Sequence, residues 1–179
     1  LNQRVSSALM AIPIALLVII LGRAYLAGTL LVFGILAVRE FYDLAQFSGY
    51  GPLEQVGILG VVAFVAFGYL GMQQTVGLVV TCIVILTLTW HTLVFGGQNS
   101  IANSAITLLG SVYVGLPMAA ALMLRYTGGD KAGFGYLLMA ILTVWATDTG
   151  AYYGGRAFGK RKLAPRVSPN KTCEGAIIG

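Results

Sequence analysis

Six cations crowd residues 156–171: Arg156, Lys160, Arg161, Lys162, Arg166 and Lys171, with no Asp or Glu among them. The whole chain carries +5, so everything outside this segment sums to −1. A cationic run of this kind suits three tasks. It can anchor topology, attract anionic lipid headgroups at about 1 kcal/mol per Lys or Arg, or clamp a polyphosphate. The local backbone chemistry favours the clamp. Ser168-Pro169 reads as a helix start, with Ser168 as N-cap and Pro169 at the first helical position. Such a start offers free N–H groups to an anion. Arg166 and Lys171 flank it, and Gly150, Gly154, Gly155 and Gly159 permit close backbone approach to phosphates.

The second candidate is Asp148, within TVWATDTGAYYGGR near the end of an apolar run. Acids inside membrane segments are costly and mark functional sites by default. Helical spacing puts Trp145, Asp148, Ala151, Tyr152 and Gly155 on one face. Gly150 and Gly154 form a small-xxx-small pair that lets another backbone approach. The plainer reading of Asp148 is an interfacial partner for Arg156 or Lys160. Glu174, just after the basic run, could orient Lys171 or bind a cation.

The elements that must position these groups are membrane helices. Of 179 residues, 58% are hydrophobic and only 9% charged, against roughly 25% charged in soluble domains. Mean hydropathy is +0.85. This excludes a soluble enzyme, a disordered chain and a nucleic-acid-binding domain. Charge-free runs over 5–22 and 24–38, and the absence of any Asp, Glu, Lys or Arg from 55–124, mark the spans. At about 20 residues per crossing, the long stretch holds three, near 56–72, 75–95 and 101–124. Gly71-Met72-Gln73-Gln74 and Gly96-Gly97-Gln98-Asn99-Ser100 read as the turns between them. A sixth span runs from Lys131 to about Tyr153, and a seventh starts after Lys171.

The expected fold is therefore all-α: a polytopic integral membrane protein with about six transmembrane helices plus the start of a seventh. It is read as one membrane-embedded domain, 1–179, with a basic cytoplasmic loop at 154–172. Pro13 and Pro117 fall inside spans, where membrane helices tolerate them. The first run lacks a cleavage site and leads directly into another span, so it reads as a retained helix rather than a signal peptide. With the amino end inside, inside loops hold eight basic residues and outside loops three, Arg23, Arg125 and Lys131. Small-residue faces admit association within one chain or between two copies, as in a homodimer.

Other patterns carry less. Gly154-xxxx-Gly159-Lys160 nearly fits a phosphate-binding loop, but Arg161 stands where Ser or Thr must hold Mg²⁺, and a helix precedes it instead of a strand. Asn170-Lys171-Thr172 fits a glycosylation sequon on the wrong side of the membrane. Cys82 and Cys173 form no CxxC pair and read as bystander thiols. His91 reads as a packed or interfacial imidazole. Glu40 and Asp43 read as part of an interface-anchoring cluster with Arg39, Phe41 and Tyr42, flanking a substrate being the lesser alternative.

From Asp148 to Gly175 the chain reads DTGAYYGGRAFGKRKLAPRVSPNKTCEG. This closely resembles the phosphatidate cytidylyltransferase (CDP-diacylglycerol synthase) family, whose pattern is D-x-x-A-Y-x-x-G-R-x-F-G-K-x-K-L-x-P-x-[IV]-S-P-x-K-T-x-E-G. Arg4-Val-x-Ser-Ala-Leu with Pro13, and Arg39-Glu40-Phe41-Tyr42, are similar too. The resemblance implies transfer of a cytidylyl group from CTP to phosphatidate, at the cytoplasmic face of a bacterial inner or plasma membrane. Related CTP-using enzymes raise a polyprenol or an ether lipid as the alternative acceptor. Composition alone would also fit a non-enzymatic protein that binds anionic lipids. The resemblance implies Asp148, Lys171 and Glu174 as catalytic residues. Arg156, Lys160, Lys162, Arg166, Ser168, Pro169 and Thr172 would bind substrate. Mg²⁺, with a second cation as an option, would be the cofactor, with Asp148 as one ligand. Members of that family continue through further helices to a block whose aspartates are thought to hold the metals. The main metal ligands are thus expected beyond Gly179, and the 179 residues alone are expected to be inactive.

Overall fold

A computed structural model describes residues 2–95 and 99–179, with side chains from Ile12 onward except those of residues 73 and 95. Six long helices follow the apolar runs: α1 (Asn2–Leu21), α2 (Arg23–Phe47), α3 (Glu54–Leu70), α4 (Val76–Phe95), α5 (Ser100–Tyr126) and α6 (Asp130–Phe158). Four of them, α2 and α4–α6, have the length and hydropathy to cross a membrane, and α1 and α3 contribute shorter apolar helices. The chain is a polytopic membrane protein. After α6 come two short strands, β1 (Lys162–Ala164) and β2 (Ser168–Thr172), and a six-residue helix, α7 (Cys173–Ile178). Contacts group the chain into two compact units, 1–127 and 128–179, each described by itself.

In the first unit α3 packs against α5, with α2 and α4 each touching both. Glycines set the closeness of α3 to its neighbours. A Cβ on Gly57 would fall on the Tyr42 ring, one on Gly115 on Phe64, and one on Gly68 on the Ala119 backbone. The core between them is Val38, Tyr42, Val61 and Val114 on one side, and Phe64, Val79, Ile83 and Ala119 on the other. Lipid tails give apolar side chains no reason to leave lipid for protein, so polar contacts carry much of the specificity. The Tyr42 hydroxyl donates to the Thr107 carbonyl (2.6 Å), and the Ser111 hydroxyl donates to the Gly57 carbonyl (3.0 Å).

Two expectations change here. α2 runs on to Phe47 instead of ending at 38, because Tyr42 is wholly buried and Arg39 is neutralised by Glu54 at 3.4 Å. Phe41 and Tyr42 therefore belong to the core and do not anchor an interface, while Glu40 and Asp43 are exposed. The break after Leu70 is a turn as expected, with Gly71 left-handed (φ 72°) and a 3₁₀ turn at Gln73–Thr75. Residues 96–98 of the other expected turn lie outside the described residues. His91 is fully buried, with Nε2 3.0 Å from the Gly51 carbonyl and Nδ1 3.2 Å from Ser104 Oγ. It is packed, as its neighbourhood in the sequence suggested.

The second unit is α6, the hairpin and α7. The expected loop at 154–172 is instead the last turn of α6 followed by an antiparallel β1–β2 hairpin. α6 outlasts its expected end by five residues. Its 29 residues extend about 43 Å at 1.5 Å each, against a hydrocarbon core of about 30 Å.

Candidate functional site

The site is built at the carboxyl end of α6. Asp148 is the nineteenth residue of that helix, about 27 Å along its axis. Asp148, Ala151, Tyr152 and Gly155 form one wall of a cleft of about 670 Å³. This is the face that helical spacing assigned to Asp148. The opposite wall is the hairpin, through Leu163, Ser168, Asn170, Lys171 and Thr172, and α7 adds Gly175 and Ala176.

Three consecutive β2 residues, Asn170, Lys171 and Thr172, line the same cleft, which a regular strand with alternating faces cannot do. The register explains it. Lys162 pairs with Thr172 and Ala164 with Ser168, so Pro169, Asn170 and Lys171 stand opposite Leu163 alone. The surplus residues bulge, and a bulge re-aims side chains. Pro169 sits within it, where the missing N–H costs the ladder least.

The helix start expected at Ser168-Pro169 is not there. Ser168 pairs in the strand, and the helix begins four residues later, with Thr172 as its N-cap accepting from the Gly175 N–H at 3.2 Å. Strand pairing with β1 won over the capping signal, because Ser-Pro is equally at home at a strand edge. Nor do the glycines open space for phosphates. A Cβ on Gly154 would strike Ile178, and Gly150 faces Gly179 at 3.5 Å. The small-xxx-small pair accommodates α7, a close backbone approach of the kind its spacing predicts. Gly155, Gly159 and Gly175 all lie against the Thr172 hydroxyl, at 2.8, 2.9 and 3.0 Å from where each Cβ would be.

Glu174 is held differently from Lys171. Its Oε2 accepts from the backbone N–H of Lys160 (3.0 Å) and of Arg161 (3.2 Å), while the Cys173 N–H donates to the Arg161 carbonyl at 2.9 Å. Its own backbone N–H, then those of Lys160 and Arg161, hold its carboxyl below the usual glutamate value. The carboxylate closes the turn between α6 and β1.

Of the expected site residues, the fold brings Asp148, Arg156, Ser168, Lys171 and Thr172 together on the cleft. Lys160, Lys162, Arg166, Pro169 and Glu174 are not on its lining. Lys162 is in β1 and Arg166 is in the tip of the hairpin. Among the described residues, no carboxylate lies within ion-pair distance of any of the six cations, Asp148 included. No site role was expected of Tyr152, Leu163 or Asn170. Tyr152 was legible from its place on the Asp148 face, but Leu163 and Asn170 depend on the bulge.

Residues 2–179 match the cytidylyltransferase family. The chain belongs to that family. This cytidylyltransferase-family chain is 29% identical over 186 residues to the phosphatidate cytidylyltransferase of Staphylococcus haemolyticus and 26% identical over 184 residues to that of Bacillus subtilis. Those alignments cover 98% and 99% of this chain and 66% of each relative, so it spans just under two thirds of their length. A third relative, the phosphatidate cytidylyltransferase of Haemophilus influenzae, is 48% identical over 81 residues, 43% of this chain and 28% of the relative. No solved structure matches it.

Proposed function

We propose that the protein transfers a cytidylyl group from CTP to phosphatidate, giving CDP-diacylglycerol and pyrophosphate, in a bacterial plasma membrane with the cleft facing the cytoplasm. The observation that carries this reading is the cleft where α6 leaves the apolar layer. It combines Asp148 with two cations, Arg156 and Lys171, that no carboxylate neutralises among the described residues. One substrate is a dissolved polyanion and the other an anion tethered in the leaflet. A cationic cleft at that boundary can meet both.

In the reaction an oxygen of the lipid phosphate attacks the α-phosphorus of CTP. The bond from that phosphorus to the bridging oxygen of the β-phosphate breaks, and pyrophosphate departs. Such chemistry needs alignment and charge neutralisation more than covalent help. Lys171 and Arg156 supply positive charge along the phosphates, and Ser168 supplies a hydroxyl. Lys160, Lys162 and Arg166 lie outside the lining and raise the local concentration of anions.

Mg²⁺ usually takes one or two carboxylates, with substrate phosphates and water completing its six oxygens. Asp148 fits as one such ligand. Among the described residues no group of three or more His, Cys, Asp or Glu side chains is placed to hold a metal alone. Asp148 would help hold Mg²⁺, which when bound would offset the charge that builds on the phosphates.

The test is an assay of the full-length protein with CTP, phosphatidate and Mg²⁺ in mixed micelles. Formation of CDP-diacylglycerol with equimolar pyrophosphate is expected. No product, or product with a polyprenol or ether lipid only, overturns the assignment of phosphatidate.

A further inference from the structure

The phosphate chemistry leaves part of the cleft unexplained. Two large apolar side chains stand in it beside the charged groups, Tyr152 on α6 at 61% exposure and Leu163 on β1 at 50%. Exposed apolar groups at the mouth of a cationic cleft are unfavourable unless something covers them. Tyr153 packs edge-on against the Tyr152 ring, with centroids 5.2 Å apart and planes at 79°, an arrangement that restrains the ring. The bulge sets Asn170 opposite Leu163, and Asn170 and Ser168 add hydrogen-bonding groups to the same cleft.

We propose that Tyr152 and Leu163 form the seat of the nucleotide base, with the Tyr152 ring as its stacking platform and Leu163 as a second apolar contact. This rests on the CTP-dependent reading above. A base is flat, apolar on its faces and polar at its edge, and the cleft offers an aromatic ring, an aliphatic side chain and two polar groups. An acyl chain needs none of the polar groups. It has a better place on the apolar groove of α6 lined by Leu138, Met139 and Leu142, six to ten residues before Asp148 in the same helix. Seating the base against Tyr152 directs the triphosphate along the wall toward Arg156 and Lys171, which line the same cleft.

The test compares binding of CTP and of inorganic tripolyphosphate to the full-length protein in detergent, for wild type, Tyr152→Ala, Tyr152→Phe and Leu163→Ala. Stacking on an aromatic ring is worth enough that its loss weakens CTP binding by about fivefold to a hundredfold. Tyr152→Ala is expected to show that loss for CTP and none for tripolyphosphate. Tyr152→Phe restores CTP binding, and Leu163→Ala shows a smaller loss confined to CTP. Equal weakening of both ligands, or an unchanged preference for CTP in Tyr152→Ala, overturns the proposal. So does a rise in the KM for phosphatidate with the KM for CTP unchanged, which would make Tyr152 a lipid contact. Failure of the enzymatic reading is separate: CTP then binds with the expected Tyr152 dependence but no CDP-lipid forms.

Discussion

Lys171 and Lys162 belong to one cationic segment, but their positions assign them different work. Lys171 lines the cleft, whereas Lys162 sits off its lining in β1. Lys171→Ala is expected to lower kcat/KM for CTP by about a hundredfold or more, the scale seen when one preorganised charge-stabilising group is removed. Lys162→Ala should lower it by less than about threefold, since an exposed charge acts only through a screened field. Rates of CDP-lipid formation, normalised to membrane-inserted protein, check both. Glu174 separates geometry from chemistry. Its oxygens are taken up by the N–H groups of Lys160 and Arg161, so in the proposed reaction its expected role is positioning. Glu174→Gln should raise the KM for CTP by about three- to tenfold while leaving the Mg²⁺ concentration for half-maximal rate unchanged. A tenfold higher Mg²⁺ requirement would make it a metal ligand instead. Its carboxyl is held below the ordinary glutamate value, so its bonds are complete at neutral pH and are lost as pH falls through the folded-state value. Between about pH 6 and 8 it should leave the rate profile flat. At this scale the sequence was legible where one helix decides the outcome, as for Asp148. Glu174 was opaque, because its partners lie 13 and 14 residues back across a closed hairpin.

The hairpin is the element that decides whether the cationic segment is a site. Apolar runs foretold all six long helices, since a membrane span is written in hydropathy over some twenty residues. A five-residue polar strand such as Ser168–Thr172 carries no such signal. Ser168 and Pro169 have local preferences that fit a cap or a strand edge alike, and pairing with Lys162–Ala164 settles the matter. The bulge gives a test of its own. Deleting Pro169 removes one of the three residues that stand opposite Leu163 and turns Lys171 relative to the cleft. Activity should fall about as far as in Lys171→Ala, although every lysine is retained. Activity within about threefold of wild type would show that Lys171 reaches the phosphates without the three-residue form of the bulge.

For the molecule as a whole, composition established a membrane body and located its excess charge, because both are sums that do not depend on contacts. What it could not supply was the grouping of contacts into 1–127 and 128–179. That grouping rests on fits such as Gly57 against Tyr42 and Gly154 against Ile178, which require knowing which helices meet. The whole-molecule proposal is orientation, and it follows from eight basic residues counted on one side and three on the other. With Cys82, Cys173 and any further native cysteine of the full-length protein replaced by Ser, a single cysteine introduced as Arg166→Cys should react with an impermeant thiol reagent only in inverted vesicles. Labelling of intact cells would reverse the orientation and place the cleft outside. The Thr172 hydroxyl, finally, is crowded by Gly155 of α6, Gly159 of the turn and Gly175 of α7. Three segments are thereby tied to one atom. In terms of inheritance these positions are linked: a side chain gained at any of the three glycines meets the Thr172 hydroxyl, and at Gly159 and Gly175 it first meets the carbonyls of Gly155 and Ala151, so single-step drift at each is closed by the residues packed around it.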